Sequence, residues 1–237
     1  MFRAVRLQVG SSLVSKTVLV VAAHTDDEAL GCGGTIAKHV SQGDEVYAVF
    51  LADGVTSRPE ASTEELEERN AAAAKAHRVL GIKKNYMLGL PDNRMDSVPL
   101  LDIVQKLEGV IDEVQPEVVY THHSGDLNVD HRVTHQAVVT ACRPVPGASV
   151  KEIYAFEVLS ATEWNTPGVT PFIPNVFVDI SNHLETKMEA LAAYELEMRS
   201  EPHTRSLANA RRLAEFRGSS VGVGAAESFV LVRSLRS

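Results

Sequence analysis

The chain has 237 residues, 44% of them hydrophobic and 23% charged, with a formal net charge of -8. That is the make-up of a globular chain long enough to bury a core without staples, and its acidic balance argues against a nucleic-acid backbone as partner. Two cysteines are too few for a disulfide framework, and neither a signal-peptide apolar region nor a run of membrane-spanning length is present, so a cytoplasmic protein with no integral membrane segment is expected.

Thr17 to Ala23 is the first strand, an apolar β-branched run that ends abruptly in His24, Thr25, Asp26, Asp27 and Glu28. This is the pattern of a buried parallel strand delivering polar side chains at its C-terminal end. Glu28 to Val40 follows as a helix, and Glu45 to Ala52 as a second strand that stops at Asp53-Gly54. Ser62 and Glu65 form a capping box for a helix running to about Leu80, with Gly81 as its stop. Asn85 to Leu88 is a short strand leading into the loop GLPDNRMD. The clearest helix comes next: Leu100, Ile103, Val104, Leu107, Val110, Ile111 and Val114 trace one apolar face until Pro116. Glu117 to Tyr120 is a fourth strand, and the polar loop THHSGDLNVDH follows it. Val133 to Cys142 is a helix, Lys151 to Leu159 a fifth strand, and Ser160 to Pro174 a loop. Val176 to Ile180, a helix from Leu184 to Met198 and a last strand, Phe229 to Val232, complete the chain.

Alternating strands and helices with short connections imply parallel strands and right-handed crossovers. The expected fold is a single α/β domain over residues 1–237. It is Rossmann-like, with a mostly parallel sheet, helices on both faces and a smaller C-terminal addition of strand and helix.

A histidine, two aspartates and a glutamate within five residues repel one another and desolvate badly unless positive charge joins them. A helix N-terminus accounts for Asp27 or Glu28 but not for His24 or the doubled aspartate. A divalent metal accounts for all of them. Two polar loops rich in histidine and aspartate follow the first and fourth strands, and they converge if those strands are neighbours. His24 and Asp27 with His131 then make two imidazoles and one carboxylate, a catalytic zinc set that leaves a position open for water. The rival pair His131 and His135, one helical turn apart, lacks the glutamate of zinc helices.

The segment HTDDEALGCGG resembles the (A)HPDDE signature of the LmbE-like, PIG-L de-N-acetylase family, and NVDHRVTHQAV resembles its second motif, H-x-D-H before a helix. The likeness extends through DGVTSR, GLPDNRMD, EVLSATEW, PNVFVDIS and PHTRS. The resemblance implies removal of N-acetyl groups from aminosugars, with zinc held by His24, Asp27 and His131 and with Asp26 as general base. It also implies that Arg69 and Asp92 hold sugar hydroxyls. Neighbouring residues at a strand end point in different directions, so one aspartate can bind metal while the other faces its water.

Two departures stand out. Thr25 replaces the usual proline, which loosens the turn without touching a ligand. Asn128 takes the place of the first histidine of H-x-D-H, which relatives are implied to use on the oxyanion or the leaving group. Asparagine donates a hydrogen bond but cannot shuttle a proton. Either Asp26 does all the proton work, or His122, His123 or His203 substitutes. Asp130 is free to orient His131 or Arg132 instead. Trp164 is expected on a rim loop, stacking on a sugar face or simply packing.

The expected partner is a small N-acetylated aminosugar or conjugate, with self-association of the chain left open. Other readings are an amidase acting on a non-sugar or thiol-conjugate amide, a non-catalytic scaffold with a vestigial metal site, and a nucleotide-binding module. The last rests on Gly31, Gly33 and Gly34, but three acids precede these glycines and would repel a pyrophosphate.

Overall fold

In a computed structural model of the chain, residues 15–52, 54 and 63–236 are described. Ser62, and with it the expected capping box, lies outside them, as does most of DGVTSR. The described elements are β1 (Thr17–Ala22), α1 (Asp27–Ser41), β2 (Glu45–Ala52), α2 (Thr63–Leu80), β3 (Lys84–Leu90), α3 (Leu100–Val114), β4 (Val118–His122), α4 (Val129–Ala141), β5 (Glu152–Phe156), β6 (Val176–Asp179), α5 (Leu184–Ala193), α6 (Leu207–Ser219) and β7 (Ala226–Ser234).

The strands form one sheet in the order β3-β2-β1-β4-β5-β7-β6. The first five run parallel, while β7 lies antiparallel between β5 and β6. The alternation along β1 divides the core. Val18 and Val20 face α1, α2 and α5, whereas Leu19 and Val21 face α3 and α4. Ile103, Val104, Leu107, Val110 and Ile111 of α3 are buried as their spacing demands, although Leu100 is exposed.

Strand β1 pairs with β2 on one side and β4 on the other, so the direction of winding reverses between β1 and β4. Beyond the carboxyl ends of strands at such a reversal is where open α/β sheets bind ligands. Both polar loops leave from there.

The glycines after β1 serve packing. A Cβ on Gly31 would enter the ring of Phe156, and one on Gly34 would lie 2.6 Å from Cδ1 of Ile180. Helix α1 therefore lies tight against β5 and the residue after β6. It is interrupted at Cys32, where φ is -147°. The buried carboxylate of Glu227 accepts from the amides of Gly34 (3.0 Å) and Thr35 (2.6 Å) just past that break. Lys187 donates to Glu227 at 2.5 Å and to the Leu30 carbonyl at 2.8 Å. A single added methyl should thus be costly. Gly31→Ala is expected to lower unfolding stability by about 1–3 kcal/mol through overpacking, as read by urea denaturation.

Several elements differ from the sequence reading. Helix α6 was not foreseen, α5 ends at Ala193 rather than Met198, and β5 stops at Phe156. No described helix is long and apolar enough to cross a membrane.

Candidate active site

The site forms where the loops after β1 and β4 meet. Asp26 sits between strand and helix with φ at 110°, a conformation rare for a residue with a side chain. Its neighbours hold it there. The Asp26 amide donates to Glu28 Oε2 at 3.0 Å, and Glu28 Oε1 accepts from the Tyr194 hydroxyl at 2.6 Å. Arg69 reaches the preceding residue, donating from Nε to Thr25 Oγ1 at 2.9 Å and from Nη2 to the Thr25 carbonyl at 3.1 Å. Its Nη1 donates to Glu197 at 2.6 Å. Thr25 therefore anchors the turn rather than loosening it. Arg69 is buried, with its guanidinium bonded to Thr25 and Glu197.

His24, Asp27 and His131 come together as the sequence suggests, with one donor atom from each within 4.8 Å of the others. Asp27 Oδ2 accepts from the His24 amide at 2.9 Å and lies 3.3 Å from both His24 Nδ1 and His131 Nε2. The far nitrogens of both rings have acidic partners. His24 Nε2 is 3.1 Å from Asp130 Oδ2 and from Asp92 Oδ1, and His131 Nδ1 is 3.1 Å from Asp126 Oδ1. Carboxylates behind imidazoles fix the tautomer and orientation of metal-ligating histidines.

A second acidic grouping, His24 with Asp92 and Asp130, also has the spacing of a metal site. It uses the opposite nitrogen of His24, and the Asp130 oxygens already accept from the amides of Asn93 (2.7 Å) and Met95 (3.1 Å). That grouping is a buttress for the histidine. Asp92 belongs to it, 3.1 Å from His24 Nε2.

The donor chemistry fits a divalent ion at His24, Asp27 and His131. Asp27 Oδ1 is buried without a hydrogen-bond partner among the described residues. Burial disfavours charge on the two rings, yet the carboxylates prevail. Asp130, Asp27 and Asp92 raise the His24 pKa well above its ordinary value, and Asp27 and Asp126 raise that of His131 to about 9. Burial likewise opposes ionisation of Asp27, but His131 above all, with the hydrogen bond from His24, holds its pKa well below the usual carboxylate range. The cluster demands positive charge at its centre, which a cation supplies in place of protons.

Next to this set, burial pushes the Asp26 carboxyl up to about 7, against the pull of Arg205 and with a further push from Asp27. Arg205 Nη1 donates to Asp26 Oδ2 at 2.8 Å, a contact across 179 residues of sequence.

The remaining candidates are placed as follows. Asn128 is the N-cap of α4: its Oδ1 accepts from the Asp130 amide at 2.8 Å, and its Nδ2 donates to Asn93 Oδ1 at 3.3 Å. His122 is fully buried, stacked on His131 at 3.9 Å between ring centres, and its Nε2 accepts from the Ala23 amide at 2.9 Å. Burial and the neighbouring His131 push its pKa well below the ordinary value, so the ring is a neutral wall. His123 lies 2.8 Å from the Thr170 carbonyl and His135 Nδ1 2.8 Å from the His122 carbonyl, both ring nitrogens engaged with backbone away from the ligand set. Trp164 is 52% exposed, edge-on to His203. Sequence reasoning missed Arg205, whose only signal was its place in PHTRS.

Comparison with known proteins agrees with this geometry. The profile of PIG-L, the GlcNAc-PI de-N-acetylases, matches residues 19–142. The chain is 30% identical over 182 residues to YaiS, an uncharacterized deacetylase of Escherichia coli, covering 74% of this chain and 89% of that one. It is 28% identical over 212 residues to the diacetylchitobiose deacetylase of Thermococcus kodakarensis, covering 81% and 76% respectively. The fold is shared with the N,N'-diacetylchitobiose deacetylase of Pyrococcus horikoshii, at a TM-score of 0.75 and 24% identity over 92% of this chain and 84% of the other. With both polar loops inside the matched span, the chain belongs to the PIG-L, LmbE-like family of deacetylases.

Proposed function

We propose that this chain removes an N-acetyl group from an aminosugar or aminosugar conjugate, using zinc held by His24, Asp27 and His131. The observation that supports this best is the convergence of those three donors, both imidazoles with a carboxylate at the other ring nitrogen, with the separate carboxylate of Asp26 beside them. When bound, zinc supplies Lewis acidity toward the amide carbonyl and a water acidified to near neutrality. Asp26 accepts the proton of the attacking water and returns it to the departing amine. Of the described candidates, Asn128 is committed to capping α4, and burial with the neighbouring His131 disfavours charge on His122. Asp130 acts on His24 rather than on substrate, and Arg69 sets the turn that carries Asp26. The substrate class comes from relatives named for N-acetylated sugars such as diacetylchitobiose.

The test is acetate release from a panel of N-acetylated aminosugars and their conjugates, together with non-sugar amides, by the zinc-loaded protein. Release from at least one sugar member, lost on chelation and restored by zinc, is expected. Hydrolysis of non-sugar amides alone would overturn the substrate class, and no hydrolysis of any member would overturn the reaction.

A further inference from the structure

Arg205 enters the site from the C-terminal half and touches neither metal donors nor an open cleft wall. Its guanidinium makes two directed bonds, from Nη1 to Asp26 Oδ2 at 2.8 Å and from Nε to Ser160 Oγ at 2.8 Å. Ser160 stands at the start of its loop with φ at 67°, a left-handed conformation that a non-glycine residue keeps only under constraint. The constraint is Glu163. Its Oε1 accepts from the Ser160 amide at 2.7 Å and from the Thr204 hydroxyl at 2.6 Å. Glu163 itself is exposed and makes no hydrogen bond to Asp26 or to the candidate metal donors among the described residues. One surface carboxylate thus ties the loop that carries Arg205, through Thr204, to the loop that presents its partner Ser160.

We infer that Arg205 is a positioning residue for the reaction and that Glu163 is the clasp that sets it. The inference rests on the role proposed above for Asp26. The Asp26 backbone is held by Glu28 and, through Thr25, by Arg69, but none of those contacts reaches its carboxylate. Arg205 does, and so fixes its rotation. One carboxylate oxygen is engaged by the guanidinium, which leaves the other for the water and the amine. A planar fork with donors at fixed angles suits this task, and an ammonium does not reproduce it.

The inference is tested on the zinc-loaded full chain by kinetics and crystallography of Arg205→Ala, Arg205→Lys, Glu163→Ala and Glu163→Gln. Arg205→Ala is expected to lower kcat about 100-fold, the cost of misplacing a reacting group by about 1 Å, with KM and zinc content little changed. Arg205→Lys should recover only part of this loss. Glu163→Ala should lower kcat roughly tenfold although the residue lies outside the site, in the range of other supporting contacts. Glu163→Gln, which keeps the accepting oxygen, should restore most of it. Crystals of the Arg205→Ala protein should show the Asp26 carboxylate turned or spread over several rotamers. A raised KM with unchanged kcat would make Arg205 a substrate contact and overturn the inference. An unmoved Asp26 carboxylate would overturn it whatever the rates, and this readout decides the matter even if the wild type releases no acetate, a result that would sink the deacetylase reading instead. Should Arg205→Ala fail to fold, the two Glu163 variants carry the same kinetic and crystallographic comparison.

Discussion

Asp27→Ala and His131→Ala are each expected to lose zinc and hydrolysis together. Each removes one of three donors, and neither loss can be made good by a neighbour. Asp130 and Asp92 face the wrong nitrogen of His24, and His122 Nε2 already accepts from the Ala23 amide. Dialysed protein analysed for bound metal, in parallel with an acetate assay, reads both effects. Asp130→Ala gives the graded counterpart. It leaves the donors in place but removes the carboxylate that orients His24, so zinc affinity should fall by about 10- to 100-fold. Full metal retention in Asp27→Ala or His131→Ala would refute the donor set.

Asp26→Ala should separate the two properties. Asp26 is set apart from the proposed donors, because its carboxylate is turned toward Arg205 while that of Asp27 lies between the imidazoles. Zinc content should therefore be unchanged, while kcat falls by about 100- to 10,000-fold, the usual contribution of general acid-base catalysis. Loss of metal in this variant equal to that in Asp27→Ala would show the two aspartates to be exchanged in role.

The parallel half of the fold was legible because its signals are local. An apolar run ending in acids marks β1, and an unbroken apolar stripe marks α3. The convergence of His24, Asp27 and His131 was legible as well, since two histidine- and aspartate-rich loops follow strands that a doubly wound sheet makes neighbours. Helix α6 was not, for a physical reason. The buried residues among its thirteen are Ala210, Ala214 and Gly218, while Leu207 and Phe216 face outward. A helix that packs by small residues shows no apolar stripe. The insertion of β7 between β5 and β6 depends on long-range pairing that no short pattern encodes. The same holds for the supporting shell. Asp130 is a buttress because backbone amides of the Asn93 loop saturate it, and Arg69 and Asp92 look like surface polar groups until the fold buries them. Arg205 is one arginine among many until tertiary structure brings it to Asp26.

The family profile ends at residue 142, and all three candidate ligands lie before that point, whereas Ser160, Glu163, Trp164 and Arg205 lie after it. The proposed metal donors and the contacts proposed to position Asp26 from the C-terminal half thus occupy separate stretches of the polypeptide, divided between β4 and β5. Substitutions in the later stretch are therefore expected to change the pace of turnover while the grip on the ion, built wholly from the earlier one, is kept.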